Sequence, residues 1–323
     1  MTVQTRQHST LSLPWPPDWP VLFDTPGEDR PLIVEIGFGY GQMLFHLAAQ
    51  FPHANIIGVE VASRPLASVE RKLIAHGVHN VRVMHGHAET LLGHMLHPAS
   101  VSQIHVNFPD PWFKTGHAHK RVMKRWTVDA ITSRLIPGGQ FFLATDIDDY
   151  AKMSHALLSA TPGLTNRFDT PWAASIDNRV TTKYEAKAVR EGRTNKYFAY
   201  NRNDVPAPNV PLIGEQPMPN IVFHSQTPLQ TVLDAFQRTA QSFHDEDVHV
   251  SLMNAYYNEH EGTLLFEAFV KEPTVEQHVG FLVARQFDGD GQHTLKLASF
   301  GHPRVAGFPA GRAQRKYCRP TPS

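Results

Sequence analysis

Cysteine is the scarcest residue: Cys318 is the single one in 323 positions. An intrachain disulfide and a cysteine zinc site are thereby excluded, and a reducing compartment suits such a chain. Long apolar runs are missing too. No stretch approaches the roughly 20 apolar residues of a membrane span. The N-terminus lacks the basic-then-apolar pattern of a secretion signal. These absences point to a soluble, cytoplasmic protein. Neither charge sign dominates: Lys+Arg and Asp+Glu both number 30, so no global field announces a nucleic-acid partner. The balance is uneven locally. Residues 1–204 hold 21 basic and 18 acidic side chains, and residues 205–323 hold 9 and 12. Histidines number 20, but a high count alone does not make a metal site, and no metal is expected.

What is present divides the chain. Residues 1–30 carry "LPWPPDWP" and "TPGEDRP", a proline density that argues against regular structure and for an extended arm. Trp15 and Trp19 are expected to pack on the domain. From residue 31 short β-branched runs alternate with helical spacing: "LIVEIG" (Leu32–Gly37), "NIIGVEVA" (Asn55–Ala62), "NVRVMHG", "SQIHVNF" (Ser102–Phe108) and "QFFLATD" (Gln140–Asp146) read as strands. Helices are expected after the first, from Pro65 to His76, and over Val122–Ile136, with "PGG" turning the chain into the fifth strand. "KYFAYNR" (Lys196–Arg202) closes the domain. Such alternation implies an α/β fold, a parallel sheet covered on both faces, with ligands beyond the carboxyl ends of its strands. Residues 204–220 are a proline-rich linker by composition. Residues 221–308 read as a small α+β module, one amphipathic helix in "PLQTVLDAFQRTAQSF" against an antiparallel sheet, and 309–323 as a basic tail.

"VEIGFGYGQ" places Gly37, Gly39 and Gly41 between a strand and a helix, where the backbone turns tightly and a ligand comes close. Glu60 ends the second strand, where a carboxylate can accept both hydroxyls of a ribose. A dinucleotide fingerprint wants a glycine at position 42; Gln42 stands there. Glu35, two residues before the first glycine, suits a cationic ligand. S-adenosylmethionine, with its ammonium and sulfonium, is therefore preferred over NAD. After the third strand, His87 is a candidate for the adenine amino group, since a neutral imidazole accepts one hydrogen bond.

"EIGFGYG", "GVEV", "FPDPWFK", "HKR", "ATDIDDYA" and "TKYE" follow one another over roughly residues 30–202. This series resembles the bacterial tRNA (guanine-N7-)-methyltransferase family. The resemblance implies a Rossmann-like class I sheet, S-adenosylmethionine as methyl donor, and tRNA as partner, methylated at N7 of a guanine in its variable loop. Glu35, Gly37, Gly39, Glu60 and His87 would line the cofactor. Asp110 would be the functional aspartate, close to cofactor and base. Lys114, Asp146 and Thr182, Lys183, Tyr184 and Glu185 would hold the substrate. The family usually has Asp where His87 stands, and tends to have Arg where Gly116 stands.

The chemistry is consistent with so modest a set. N7 of guanine carries a free lone pair and faces the major groove even in a base pair. Its methylation needs orientation and base selection rather than a strong general base. A carboxylate can accept from N1–H and the exocyclic amine of guanine together, and Asp110 or Asp146 could do so. Two basic clusters, Lys114, His117, His119, Lys120, Arg121, Lys124, Arg125 and Arg179, Lys183, Lys187, Arg190, Arg193, Lys196, suggest a track for tRNA phosphates. "TTKYE" reads as extended, with Lys183 and Glu185 on one side and Tyr184 on the other. Glu185 would bind a guanine edge or polar groups on the cofactor side. Two alternatives are methylation of another acceptor and a non-catalytic RNA-binding protein. The C-terminal module lies outside the resemblance.

Overall fold

The computed structural model describes residues 6–218, 220–243, 248–285, 291–298 and 303–305. The basic tail and Cys318 lie outside the described residues. The chain divides into two compact units, Met1–Leu212 and Ile213–Ser323.

The first unit is built on an eight-stranded sheet. Its strands are β1 (Gln7–Ser9), β2 (Leu32–Ile36), β3 (Asn55–Glu60), β4 (Val81–His85), β5 (Val101–Asn107), β6 (Leu135–Thr145), β7 (Leu164–Asn166) and β8 (Lys196–Arg202). They lie in the order β1-β4-β3-β2-β5-β6-β8-β7. All neighbours are parallel until β8, which is antiparallel to both β6 and β7. The chain winds from β2 towards β4, then returns to β5 on the other side of β2. The β2/β5 junction is therefore the switch point where an open α/β sheet offers a crevice.

The helices are α1 (Trp19–Leu22), α2 (Gln42–Gln50), α3 (Ser63–Ala75), α4 (Ala88–Thr90), α5 (Arg125–Arg134), α6 (Asp148–Ser159) and α7 (Lys183–Arg190). Every residue of β2 is buried, as its unbroken apolar run requires of a strand covered on both faces. Met43, Leu44 and Leu47 of α2 and Leu66, Val69 and Leu73 of α3 share one core with Ile33, Ile56, Val81 and Val83. Pro65 falls in the first turn of α3, where its missing N–H costs no helical bond.

Three local expectations are corrected. The proline-rich arm is not without regular structure: β1 adds a parallel edge strand to β4, and Asp18 caps α1 by accepting from the Val21 amide. Trp15 and Trp19 are both buried. "PGG" is no turn between elements. Val101 pairs with Leu135 and Gln103 with Gln140, so Ile136–Gly139 bulges out of one continuous strand, with Gly138 at φ 78°. The helix expected over Val122–Ile136 starts only at Arg125, because Arg121 and the turn before it serve the preceding loop.

The arm reaches the loop after β4. A Cβ built on Gly86 would lie 2.1 Å from Thr10 Oγ1, and the Thr10 amide donates to His85 O at 3.0 Å. Gly86→Ala is expected to push the arm away and lower stability by about 1–3 kcal/mol, the usual cost of overpacking. Thermal melts of Gly86→Ala alone and with Thr10→Gly check this; a melting temperature that the second change fails to raise would refute the clash.

In the second unit β9 (Asn220–His224), β10 (Thr239–Phe243), β11 (Val248–Asn258), β12 (Thr263–Lys271), β13 (Glu276–Arg285) and β14 (Gln292–Leu297) form an antiparallel sheet in the order β10-β11-β12-β13-β14-β9. The expected long amphipathic helix is short: α8 covers Leu229–Asp234 only. The end of that segment supplies β10, which pairs Thr239 with Leu252 of β11. Backbone pairing with an open sheet edge overrides helical spacing there. Residues 205–212 run without regular structure, and Arg134, fully buried, holds their end by donating to Val210 O at 2.8 Å.

Candidate active site

Three loops meet at the carboxyl ends of β2, β3 and β5. Glu35 sits on β2 in register with Gly58 on one side and His105 on the other. Its side chain is buried, with 2% exposure. Oε1 accepts from Asn107 Nδ2 at 2.9 Å, whereas Oε2 is buried with no hydrogen-bond partner. Burial raises its pKa to about 7, against the Asn107 hydrogen bond, the Arg179 charge and the nearby Leu44 amide, and with the help of Glu60. A buried carboxylate oxygen without a donor is costly. A ligand cation at that oxygen would remove the cost.

That loop has Gly37, Gly39 and Gly41 at φ 72°, 51° and 78°, a conformation that side chains resist. At Gly41 a Cβ would also lie 2.8 Å from Val69. Glu60 Oε2 accepts from the Gly39 amide at 3.0 Å, and Oε1 accepts from Val61 and Ala62 at 2.9 and 3.0 Å. Three amides thus orient this carboxylate at the mouth of the loop. A carboxylate has about four acceptor positions, so one remains for a hydroxyl. His87 stands at the N-cap of α4, half-buried, directly after the β4 loop.

Asp110 is exposed, within Phe108–Trp112. Phe108 and Trp112 have φ 49° and 41°. Left-handed backbone at two bulky residues costs of order 1–3 kcal/mol each and gathers at functional sites. Arg121 holds this shape, donating from Nε to Pro111 O at 3.1 Å and from Nη2 to Trp112 O at 3.0 Å. Burial, then the neighbouring Tyr40, Glu60 and Asp110, raise the pKa of the Tyr184 phenol. Tyr184 in turn lies 3.3 Å from where a Cβ of Gly39 would be. Asp110, Tyr184 and the glycine loop are therefore one neighbourhood.

Residues 29–198 match the family model described as "Putative methyltransferase". A tRNA (guanine-N(7)-)-methyltransferase of Cupriavidus metallidurans is 36% identical over 181 residues, 55% of this chain and 68% of its own length. A protein of the same name from Cutibacterium acnes is 38% identical over 193 residues, 58% of this chain and 67% of its own. One from Treponema pallidum is 36% identical over 165 residues, 50% and 64%. The chain belongs to the tRNA (guanine-N7-)-methyltransferase family. The cofactor of this family is S-adenosylmethionine, and the residues fit it: Glu35 Oε2 could take an ammonium, and the remaining acceptor position of Glu60 a ribose hydroxyl.

Within the family frame, the structure redistributes several residues. About half of the two basic clusters is engaged inside the unit. Besides Arg121, Lys124 Nζ pairs with Glu89 at 2.6 Å and Arg125 with Asp129 at 2.5 Å. Arg193 pairs with Asp146 at 3.0 Å, and Lys196, nearly buried, with Asp148 at 2.5 Å. Arg179 is buried. Lys114 and Lys120 on one side and Lys183, Lys187 and Arg190 on the other remain exposed. Lys120 lies over the Trp112 ring at 4.9 Å and Lys183 over Tyr40 at 4.4 Å.

"TTKYE" is helical, not extended. Thr182 caps α7 in a reciprocal capping box: Glu185 N donates to Thr182 Oγ1 at 3.2 Å, and Thr182 N to Glu185 Oε2 at 2.9 Å. Lys183 and Glu185 therefore do not share a side. Glu185 is buried, and the Tyr197 hydroxyl donates to its Oε1. It is held inside the protein rather than presented to a base. Tyr184 and Lys183 are exposed, and the Lys183 amide donates to Gln42 Oε1 at 2.6 Å. Asn107 and Tyr197 belong to this neighbourhood and have no part in the sequence reading, whereas Arg179, expected in the phosphate track, is turned inward to them. Asn107 was signalled only by its place directly before "FPDP".

Proposed function

We propose that this protein transfers a methyl group from S-adenosylmethionine to N7 of a guanine in the variable loop of tRNA. The observation that carries the reading is Asp110, exposed on a strained loop beside the glycine turn, where a base would meet the cofactor. When bound, S-adenosylmethionine supplies an electrophilic methyl group. The protein's own part is orientation. Glu35, Gly37, Gly39, Glu60 and His87 hold the cofactor. Asp110 accepts from the N1–H and amine of guanine, a pair of donors adenine lacks, and stabilises the positive charge that develops on the base. Lys114, Asp146, Thr182, Lys183 and Tyr184 position the tRNA, with the exposed lysines on its phosphates. In this reading the methyltransferase domain is residues 31–203, and residues 221–308 are an accessory module of a cytoplasmic enzyme.

The test is transfer of labelled methyl to unmodified tRNA, mapped by chemical cleavage at 7-methylguanine. Label at one variable-loop guanine is expected. Label elsewhere in tRNA would overturn the position, and none in tRNA the acceptor.

A further inference from the structure

Arg179 connects two parts of the site that sequence separates widely. Its Nη2 donates to Asn107 Oδ1 at 2.6 Å, and Asn107 Nδ2 donates in turn to Glu35 Oε1. On its other side Arg179 Nε lies 3.9 Å from Glu185 Oε1, and its guanidinium stands over the Tyr197 ring at 5.3 Å. Both partners of the Arg179–Glu185 pair are nearly buried, with side-chain exposures of 9% and 8%. Arg179 is thus no phosphate contact. Glu185 closes the capping box that starts α7 and so fixes how Lys183 and Tyr184 face the glycine loop.

We propose that Arg179 is a positioning residue that ties the cofactor carboxylate Glu35 to the turn Thr182–Glu185, so that cofactor and tRNA strengthen each other's binding. The inference rests on the function proposed above. From Glu35 through Asn107 to Arg179 the links are hydrogen bonds, each of which polarises the next; the last link, to Glu185, is a nearly buried ion pair at 3.9 Å with no hydrogen bond from Arg179 Nε. A cation seated at Glu35 Oε2 fixes the charge of that carboxylate. The carboxylate then pulls harder on the Asn107 amide, whose oxygen orders Arg179 between Asn107 and Glu185. The α7 cap is set in the arrangement that meets tRNA. Linkage makes the effect reciprocal.

The experiment measures tRNA binding to the full chain with and without saturating S-adenosylhomocysteine, for wild type, Arg179→Lys and Arg179→Met. A methyl-transfer assay on wild type runs alongside. S-adenosylhomocysteine is expected to tighten tRNA binding by wild type about tenfold, within the usual range of coupling between sites. In Arg179→Met this factor falls towards one, because tRNA binding with cofactor weakens about tenfold more than binding without it; Arg179→Lys, which keeps the charge but reaches fewer partners, restores part of it. Equal loss with and without cofactor would make Arg179 a brace and overturn the proposal, as would a wild type that methylates tRNA without any such coupling. If Arg179→Met lacks a cooperative melt, Asn107→Leu interrupts the same chain and is held to the same outcomes. A wild type that transfers no methyl to tRNA would instead sink the functional reading itself.

Discussion

Asp110→Ala is expected to lower kcat on tRNA by about a hundredfold to a thousandfold, the range seen when one preorganised electrostatic partner of a transition state is removed. Cofactor affinity should fall far less, because Glu35 and Glu60 carry the cofactor's polar contacts in this reading. Methylation at N7 removes no proton in the rate-determining attack, so a base is not what is lost. What is lost is the acceptor that holds the Watson–Crick edge and offsets the charge growing on the ring. Asp110→Asn should recover little, since an amide presents one acceptor and a donor where two acceptors are needed. The strained backbone at Phe108 and Trp112 is kept by Arg121 and the flanking prolines in both variants. Single-turnover rates together with equilibrium binding of S-adenosylhomocysteine separate the effects. Near-normal methyl transfer by Asp110→Ala would move guanine recognition elsewhere; Asp146, paired with Arg193, would then have to exchange that partner for the base.

The sequence carried the architecture wherever local chemistry decided it. Buried β-branched runs at Leu32–Ile36 and Asn55–Glu60 had no other stable place than the centre of a parallel sheet. The glycine loop and Glu35 could be read because left-handed turns and a charge inside an apolar strand have few explanations. Where partners come from distant segments, reading failed. Lys124 is matched by Glu89, Arg193 by Asp146 and Arg179 by Asn107, so two runs that looked like a phosphate track proved half structural. The α7 error is different in kind. Thr182-x-x-Glu185 is a capping-box pattern visible in the sequence, and it prevails over the alternation that suggests an extended segment. The same residues that mark the motif start the helix. In the second unit the helical spacing of residues 229–243 was real over Leu229–Asp234 only, and the open edge of β11 took the remainder.

Glu35→Gln should separate stability from function more sharply than any other change. In the cofactor-free protein the Glu35 carboxyl has its pKa raised by burial from 4.5 to about 7. The groups around it are Asn107, Arg179, Glu60 and the Leu44 amide, with His105 in register on β5. His105 does not titrate in the same window, because burial, then Arg179 and His46, lower its pKa to about 3. A carboxyl with a raised pKa makes the folded state hold its proton longer than the unfolded one. Its contribution to stability therefore falls as pH rises from about 4.5 to about 7, by at most about 3 kcal/mol at 1.36 kcal/mol per pKa unit. Glutamine carries no such penalty, so at pH 8 and without cofactor Glu35→Gln is expected to melt higher than wild type. Cofactor binding moves the opposite way. Wild-type affinity for S-adenosylhomocysteine should rise with pH through about 7, as the carboxylate that meets the ammonium forms, and then level off. The variant should be pH-independent there and weaker by about a hundredfold, in line with 2–5 kcal/mol for truncating one side of a buried charge pair. Calorimetric titrations and melts from pH 5.5 to 8.5 read both signs at once. A variant that keeps the wild-type pH profile would remove Glu35 as its origin; one that loses stability at pH 8 would show the carboxylate to be satisfied in the free protein.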